Sequence, residues 1–156
     1  MHPLLQLCAG VAAWETGWWL RRRHERARLY DQARQHAIAI GKPLVVVGAP
    51  DQGVTSGPGC GDICVDIAPT KCPCSIECDI TKGVPLPSDS CVCFVSCVLE
   101  YVTDREAAWR ELQRLAPGRV YVARVEPWTL AAYLYPGAKH VLASVSPAPR
   151  LGANSR

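Results

Sequence analysis

The stretch SDSCVCFVSCVLEYVTD, residues 88–104, contains three of the chain's nine cysteines within one apolar run. Cys91, Cys93 and Cys97 lie among valines and a phenylalanine, and an apolar run of this kind is typical of a strand covered on both faces of a sheet. Cysteine at such positions behaves as a small apolar residue. The stretch therefore predicts a buried central strand over 91–99, whose three thiols are buried, reduced and free of metal.

Short apolar runs alternate with helical patterns on both sides of this strand. The run PLVVVGA (43–49) is rich in β-branched residues, which favour strands. The segment REAAWRELQRLA (105–116) predicts a helix with one apolar face, formed by Ala108, Leu112 and Leu115. Further strands are predicted over 62–69, 75–80, 119–126 and 140–147. Strands that alternate with helices favour a doubly wound, mostly parallel α/β sheet, and 156 residues suit one such domain.

The N-terminal segment PLLQLCAGVAAWETGWWL (3–20) carries a single formal charge, Glu15, and precedes three consecutive arginines. Three tryptophans crowd its end, as is typical of residues at the headgroup level of a membrane. A spanning helix needs about 20 apolar residues, so the segment is short for that role. Three interpretations fit it: a membrane anchor, spanning or interfacial, which we favour; a helix buried against a partner protein; and an amphipathic helix packed on its own domain.

A second helix is predicted over 26–40, with Gly41 as its stop and with an apolar face of Leu29, Ala33, Ala37 and Ile40. Six arginines lie between Arg21 and Arg34, so the net charge of +3 belongs to this segment. The main domain therefore lacks the basic stripe of a nucleic-acid surface, and we expect no nucleic-acid partner. The arginines after the apolar segment predict that the main domain lies on the cytoplasmic side of a membrane.

A second group of cysteines precedes the central strand: Cys60, Cys64, Cys72, Cys74 and Cys78. The spacing in KCPCSIEC could serve a zinc site, but a paired CxxC motif and a nearby histidine are missing. A disulfide of Cys72 with Cys60 or Cys64 would require an oxidising compartment. We therefore favour free, mostly buried thiols here and predict no metal site.

The ordered succession of motifs around the central strand resembles the centre of a class I S-adenosylmethionine-dependent methyltransferase. In that family a Leu-Pro turn leads into the fourth strand, which ends in an S-x-V-L-E-H element. A helix reading E-L-x-R-v-L-x-P-G-G then precedes the fifth strand. The matching residues are Leu86-Pro87, Ser96, Val98-Leu99-Glu100-Tyr101, Glu111-Leu112, Arg114-Leu115 and Pro117-Gly118. The resemblance covers about 27–127 and implies a Rossmann-like fold.

The resemblance also implies a cofactor site for S-adenosylmethionine across the carboxyl ends of the parallel strands. It implies that two glycines form the turn at the cofactor, that one acid holds the ribose and another lies by the adenine, and that a serine passes beneath the reactive methyl group. In that order these residues are Gly48, Gly53, Asp66, Asp79 and Ser96. Methyl transfer chiefly needs an oriented sulfonium and nucleophile, and no catalytic residue is assigned.

Three positions depart from the family pattern. Val46 replaces an acid, Pro50 replaces the second glycine, and Cys91 replaces the aspartate that opens the fourth strand. Proline lacks an amide donor and fixes its own backbone. We therefore expect S-adenosylmethionine to bind weakly or not at all. Asp66 and Asp79 fit equally well as strand-end residues that face solvent.

Two functions from different classes follow. The favoured one is a degenerate methyltransferase-like domain that serves as an anchored subunit of a larger membrane or virion assembly. Its residues 1–23 form the anchor, 24–147 the α/β domain and 148–156 a tail, and residues 3–23 bind membrane lipid or membrane-embedded subunits. The alternative is an active methyltransferase that acts on a lipid, a quinone or another membrane-near substrate.

Overall fold

A parallel sheet forms the centre of the molecule. The structure, a computed structural model, describes residues 3–48 and 59–124. The strands are β1 (Leu44–Val47), β2 (Ile63–Asp66), β3 (Ser75–Glu77), β4 (Val92–Ser96) and β5 (Val120–Ala123). Their order is β3-β2-β1-β4-β5, and all neighbouring pairs are parallel. The predicted α/β class and these five strands are confirmed, whereas the strand predicted over 140–147 lies outside the described residues.

Two α-helices and one short 3-10 helix accompany the sheet. They are α1 (Pro3–Ile40), α2 (Arg105–Leu115) and the 3-10 helix Ile80–Lys82. The two helices predicted over 3–20 and 26–40 form one continuous helix of 38 residues. The reason is that the connecting residues 21–25 include three arginines and a glutamate, which are good helix formers. The domain boundary expected between residues 23 and 24 thus falls inside α1. The helix ends at Ile40, and Gly41, the predicted stop, follows it with a positive φ of 64°.

The two faces of the sheet are covered by different helices. Because side chains alternate along a strand, Val46 and Phe94 pack against α1 at Ala33 and Ala37. On the other face, β-strand residues pack against α2 in a second cluster that includes Val45, Val47, Cys93, Val95, Leu112 and Leu115. Ile40, predicted on the buried face of its helix, is 40% exposed because the helix ends there.

The cysteines of the central strand divide into two kinds. Cys91 and Cys93 are fully buried, as predicted, with their sulfur atoms 3.6 Å apart. The hydrogen bond to Cys91 and burial raise the pKa of Cys93, which keeps that thiol protonated. Cys97 departs from the prediction, because β4 ends at Ser96 and Cys97 is only partly buried. Its amide donates to Ala123, and its positive φ of 54° then turns the chain out of the sheet.

The N-terminal half of α1 does not pack on the rest of the molecule as a core helix would. Leu4, Leu5 and Leu7 are 62%, 63% and 66% exposed, and Trp14 is 56% exposed. Within residues 3–48 and 59–124, no helix is long and apolar enough to cross a membrane. The spanning form of the predicted anchor is therefore wrong, and packing on its own domain does not account for this segment.

A disulfide joins Cys60 to Cys72. The expectation of free thiols is therefore wrong for these two cysteines, whereas Cys64, Cys74 and Cys78 take no part in the bond. The loop closed by the disulfide contains β2 and the first part of the connection to β3. That connection has no helix, although parallel strands usually need a long crossover. Across the described ranges, no three potential ligands gather into a metal site.

Candidate functional site

The candidate site lies where the strand order reverses, at the carboxyl ends of β1 and β4, because open α/β sheets bind ligands at this switch point. Gly48 follows β1 with a positive φ of 97°. A Cβ placed on Gly48 would lie 2.7 Å from the Ser96 carbonyl oxygen and 2.6 Å from a Val98 methyl carbon. The two strand ends therefore approach so closely that only glycine fits at this turn.

The two acids predicted for the cofactor lie at the same edge of the sheet, and each has a local role. Asp66 ends β2, and its Oδ1 accepts a hydrogen bond of 2.9 Å from the Ala68 amide. Asp79 caps the 3-10 helix, and its Oδ1 accepts from the amide and hydroxyl of Thr81 at 2.9 and 2.7 Å. The hydrogen bonds from Thr81 hold the pKa of Asp79 below its usual range. Both carboxylates thus stabilise turns.

Two polar residues are buried at the end of β4. Ser96 is 9% exposed and Glu100, in the loop after the strand, is 6% exposed. Burial of a carboxylate is costly unless charged or polar groups surround it. Ser96 is a predicted site residue, and Glu100 belongs to the motif that matches the methyltransferase family and favours the active alternative. Ser96 ends β4 and Glu100 follows it by four residues, so both lie at the carboxyl edge of the sheet.

Helix α1 brings positive charge to this edge, which the sequence analysis missed. An Nη of Arg26 donates a hydrogen bond to the sulfur of Cys97. Burial raises the pKa of the Cys97 thiol, and the guanidinium groups of Arg26 and Arg22 act in the opposite direction. Arg22 and Arg26 are spaced four apart on the face that continues to the buried Ala33 and Ala37. That spacing was the signal in the sequence.

The residues that depart from the family pattern lie in different places. Val46 is fully buried in the apolar cluster beneath α1. Cys91 precedes β4 at the amino end of the sheet, about 16 Å along the strand from Ser96. The length of the strand therefore separates Cys91 from the candidate site, and weak binding of S-adenosylmethionine stays a prediction. Pro50 and Gly53 lie outside the described residues.

Comparison with known proteins adds no relative. No protein-family model, curated protein or solved structure matches the chain. The fold is therefore defined by its own topology, a Rossmann-like α/β fold with a parallel five-stranded sheet and flanking helices. The site at its switch point consists of a tight glycine turn, a buried serine and glutamate, and arginines supplied by α1.

Proposed function

We propose that the chain is a methyltransferase-like α/β domain without catalytic activity, held at a membrane surface by the N-terminal part of α1. It serves as an anchored subunit of a larger assembly. The observation that carries this proposal is the exposed apolar surface at the tip of α1. Large exposed apolar surfaces mark sites of contact with membranes or proteins.

The apolar tip of α1, residues 3–18, has the residue spacing of an amphipathic helix. Its side chains recur at intervals of three and four residues, which fall on one side of a helix: Leu4, Leu7, Val11, Trp14 and Trp18. Residues 3–18 extend for about 24 Å as a helix. A helix with its apolar residues on one side lies in the plane of the membrane interface, so the tip suits binding along one leaflet.

The arginines that follow the tip supply complementary charge. Arg21 stacks over the ring of Trp18 at 5.2 Å, and Arg23 stacks over Trp19 at 5.4 Å. Such pairs combine an apolar body with a polar end and suit the headgroup level. Basic residues near an anionic membrane surface contribute about 1 kcal/mol each to binding. The chemistry of this segment therefore favours anionic lipid as its partner.

The lack of catalysis is supported by the candidate site. Asp66 and Asp79 are engaged in local turns, and the position of the family's acid in β1 holds the buried Val46. The guanidinium of Arg26 lies at the end of β4, where the resemblance places the cationic sulfonium. Like charges repel. Weak or absent binding of S-adenosylmethionine is the expected result.

An active methyltransferase is the second candidate. It is favoured by the strand order, which is that of the doubly wound fold, by the buried Ser96 beside the glycine turn, and by the buried Glu100 in the loop that follows. Calorimetric titration of the full chain with S-adenosylmethionine decides between the two. A dissociation constant in the low micromolar range would overturn the non-catalytic proposal.

Vesicle flotation of the full chain tests the anchor. Changing Leu4 and Leu7 together to Glu removes two apolar side chains, worth about 1.5–3 kcal/mol each when buried. Binding to anionic vesicles should therefore fall by about 100-fold or more. The control changes Ala9 and Ala13 to Glu, which adds the same charge on the opposite side of α1. Equal loss in both variants, or no vesicle binding by the unchanged chain, would contradict the membrane anchor and favour a partner protein.

A further inference from the structure

One side of α1 carries a row of hydrogen-bond donors that reaches the candidate site at one end. Trp19, Arg22 and Arg26 are spaced three and four residues apart, so they share one side of the helix. The row extends for about 10 Å along the helix axis. At one end, Arg26 contacts Cys97 beyond β4. The row thus begins at the switch point of the sheet and continues toward the membrane tip.

The other end of the row is a buried donor. The indole Nε1 of Trp19 is buried, and it has no hydrogen-bond partner in the described part of the chain. Buried polar groups are almost always hydrogen-bonded, and a buried group left without a hydrogen bond costs about 1–3 kcal/mol of stability. An indole N–H and two guanidinium groups donate and cannot accept. The row is therefore chemically suited to an acceptor-rich ligand.

The charge at the β4 end of the row, around Cys97, is positive, whereas Glu15 shares the same side of the helix at the far end. The charged groups that face Cys97 are Arg26, Arg22 and Glu100. Two guanidinium groups against one carboxylate leave an excess of one positive charge. Arg21 stacks over Trp18, and Arg23 stacks over the ring of Trp19 at the far end of the row. The excess positive charge disfavours a sulfonium and favours an anion.

We propose that Trp19, Arg22 and Arg26, together with the carboxyl end of β4, bind a phosphate group. Guanidinium groups match the oxygens of phosphate in paired hydrogen bonds, and a phosphate offers more acceptor oxygens to three donors than a carboxylate does. The phosphate belongs to a lipid headgroup or to a free phosphorylated molecule. The lipid source rests on the membrane anchor proposed above, whereas the free source does not.

The test uses the full chain and two probes, inorganic phosphate and phosphatidylcholine vesicles with or without phosphatidic acid. Arg22→Gln and Arg26→Gln should each weaken binding of the relevant probe by about 10–100-fold, the value of a charged hydrogen bond. Arg28→Gln is the matched control, because it removes the same charge from an exposed position of the same helix. Thermal unfolding of each variant checks the fold. If Arg26→Gln fails to fold, Arg22→Gln decides the matter, because its side chain bonds only weakly, to the Trp18 carbonyl at 3.4 Å.

The two probes separate the two sources and the two proposals. Saturable binding of inorganic phosphate that depends on Arg22 and Arg26 identifies a free phosphate ligand. Dependence seen only with phosphatidic acid identifies a headgroup. The variant with Leu4 and Leu7 changed to Glu should no longer bind vesicles and should still bind inorganic phosphate. Loss of the membrane anchor can therefore be told apart from loss of the phosphate site. Binding of neither probe, or equal losses in Arg22→Gln and Arg28→Gln, would overturn the phosphate site.

Discussion

Replacing Gly48 by Ala measures how tightly the sheet closes at its switch point. Gly48 has a φ of 97°, and a Cβ there would lie 2.7 Å from the Ser96 carbonyl oxygen and 2.6 Å from Val98. A left-handed backbone costs an alanine about 1–2 kcal/mol. Forcing an extra carbon into a filled space adds about 1–3 kcal/mol. The Gly48→Ala variant should therefore lose about 2–5 kcal/mol of unfolding free energy.

Urea denaturation of the chain with its disulfide intact measures this loss. The control is Gly118→Ala, because Gly118 also has a positive φ, of 70°, and a Cβ there would meet nothing within 4 Å. The control should lose only the backbone part, about 1–2 kcal/mol. Equal losses in the two variants would refute the close approach of β1 and β4 as the reason for glycine at this turn.

Three further predictions concern stability. Changing Cys72 to Ser removes the disulfide to Cys60 and should lower the unfolding free energy by about 3 kcal/mol in urea denaturation. Alkylation and mass spectrometry of protein taken from cells would show whether the disulfide forms there, which checks the predicted cytoplasmic location. Glu111 accepts hydrogen bonds from Arg114 that lower its pKa in the folded state. The ionised carboxylate therefore stabilises the fold above the ordinary glutamate pKa of about 4.3, and this stabilisation is lost as the pH falls. The Glu111→Gln variant should have a lower unfolding free energy at neutral pH and should lose less of it than the unchanged chain when the pH is lowered. Leu112→Ala should cost about 2–5 kcal/mol, because Leu112 is fully buried against the sheet, and a loss below about 1 kcal/mol would contradict that packing.

The sheet was predictable because its strands are buried on both faces. Val45, Val46 and Val47 form an unbroken β-branched run, and such a run has few other stable environments. The buried face of α2 was predictable for a related reason. Residues spaced three and four apart lie on one side of a helix, so burial of Leu112 and Leu115 requires that this side face the sheet. Local pattern and tertiary burial agree at these positions.

The site was less predictable because its geometry depends on contacts between distant segments. Arg26 meets Cys97 across 71 residues of sequence, and no local pattern shows which residue an arginine side chain will reach. The pairing of Cys60 with Cys72 is of the same kind, since spacing alone allows Cys64 as well. The end of β4 at Ser96 was missed because apolar residues continue past the point where the backbone turns.

The continuity of α1 has a mechanical consequence. The helix has no break between Pro3 and Ile40, so its tip and the part packed on the sheet turn together as one rod. Each residue of an α-helix advances the rotation by about 100°. One alanine inserted after Arg23 would therefore swing the α/β domain by about 100° relative to the tip, whereas four inserted alanines would nearly restore the original angle and shift the domain by about 6 Å. A partner that contacts both the tip and the sheet edge would therefore bind only when the rotation angle between them, set by the number of helical residues, is kept.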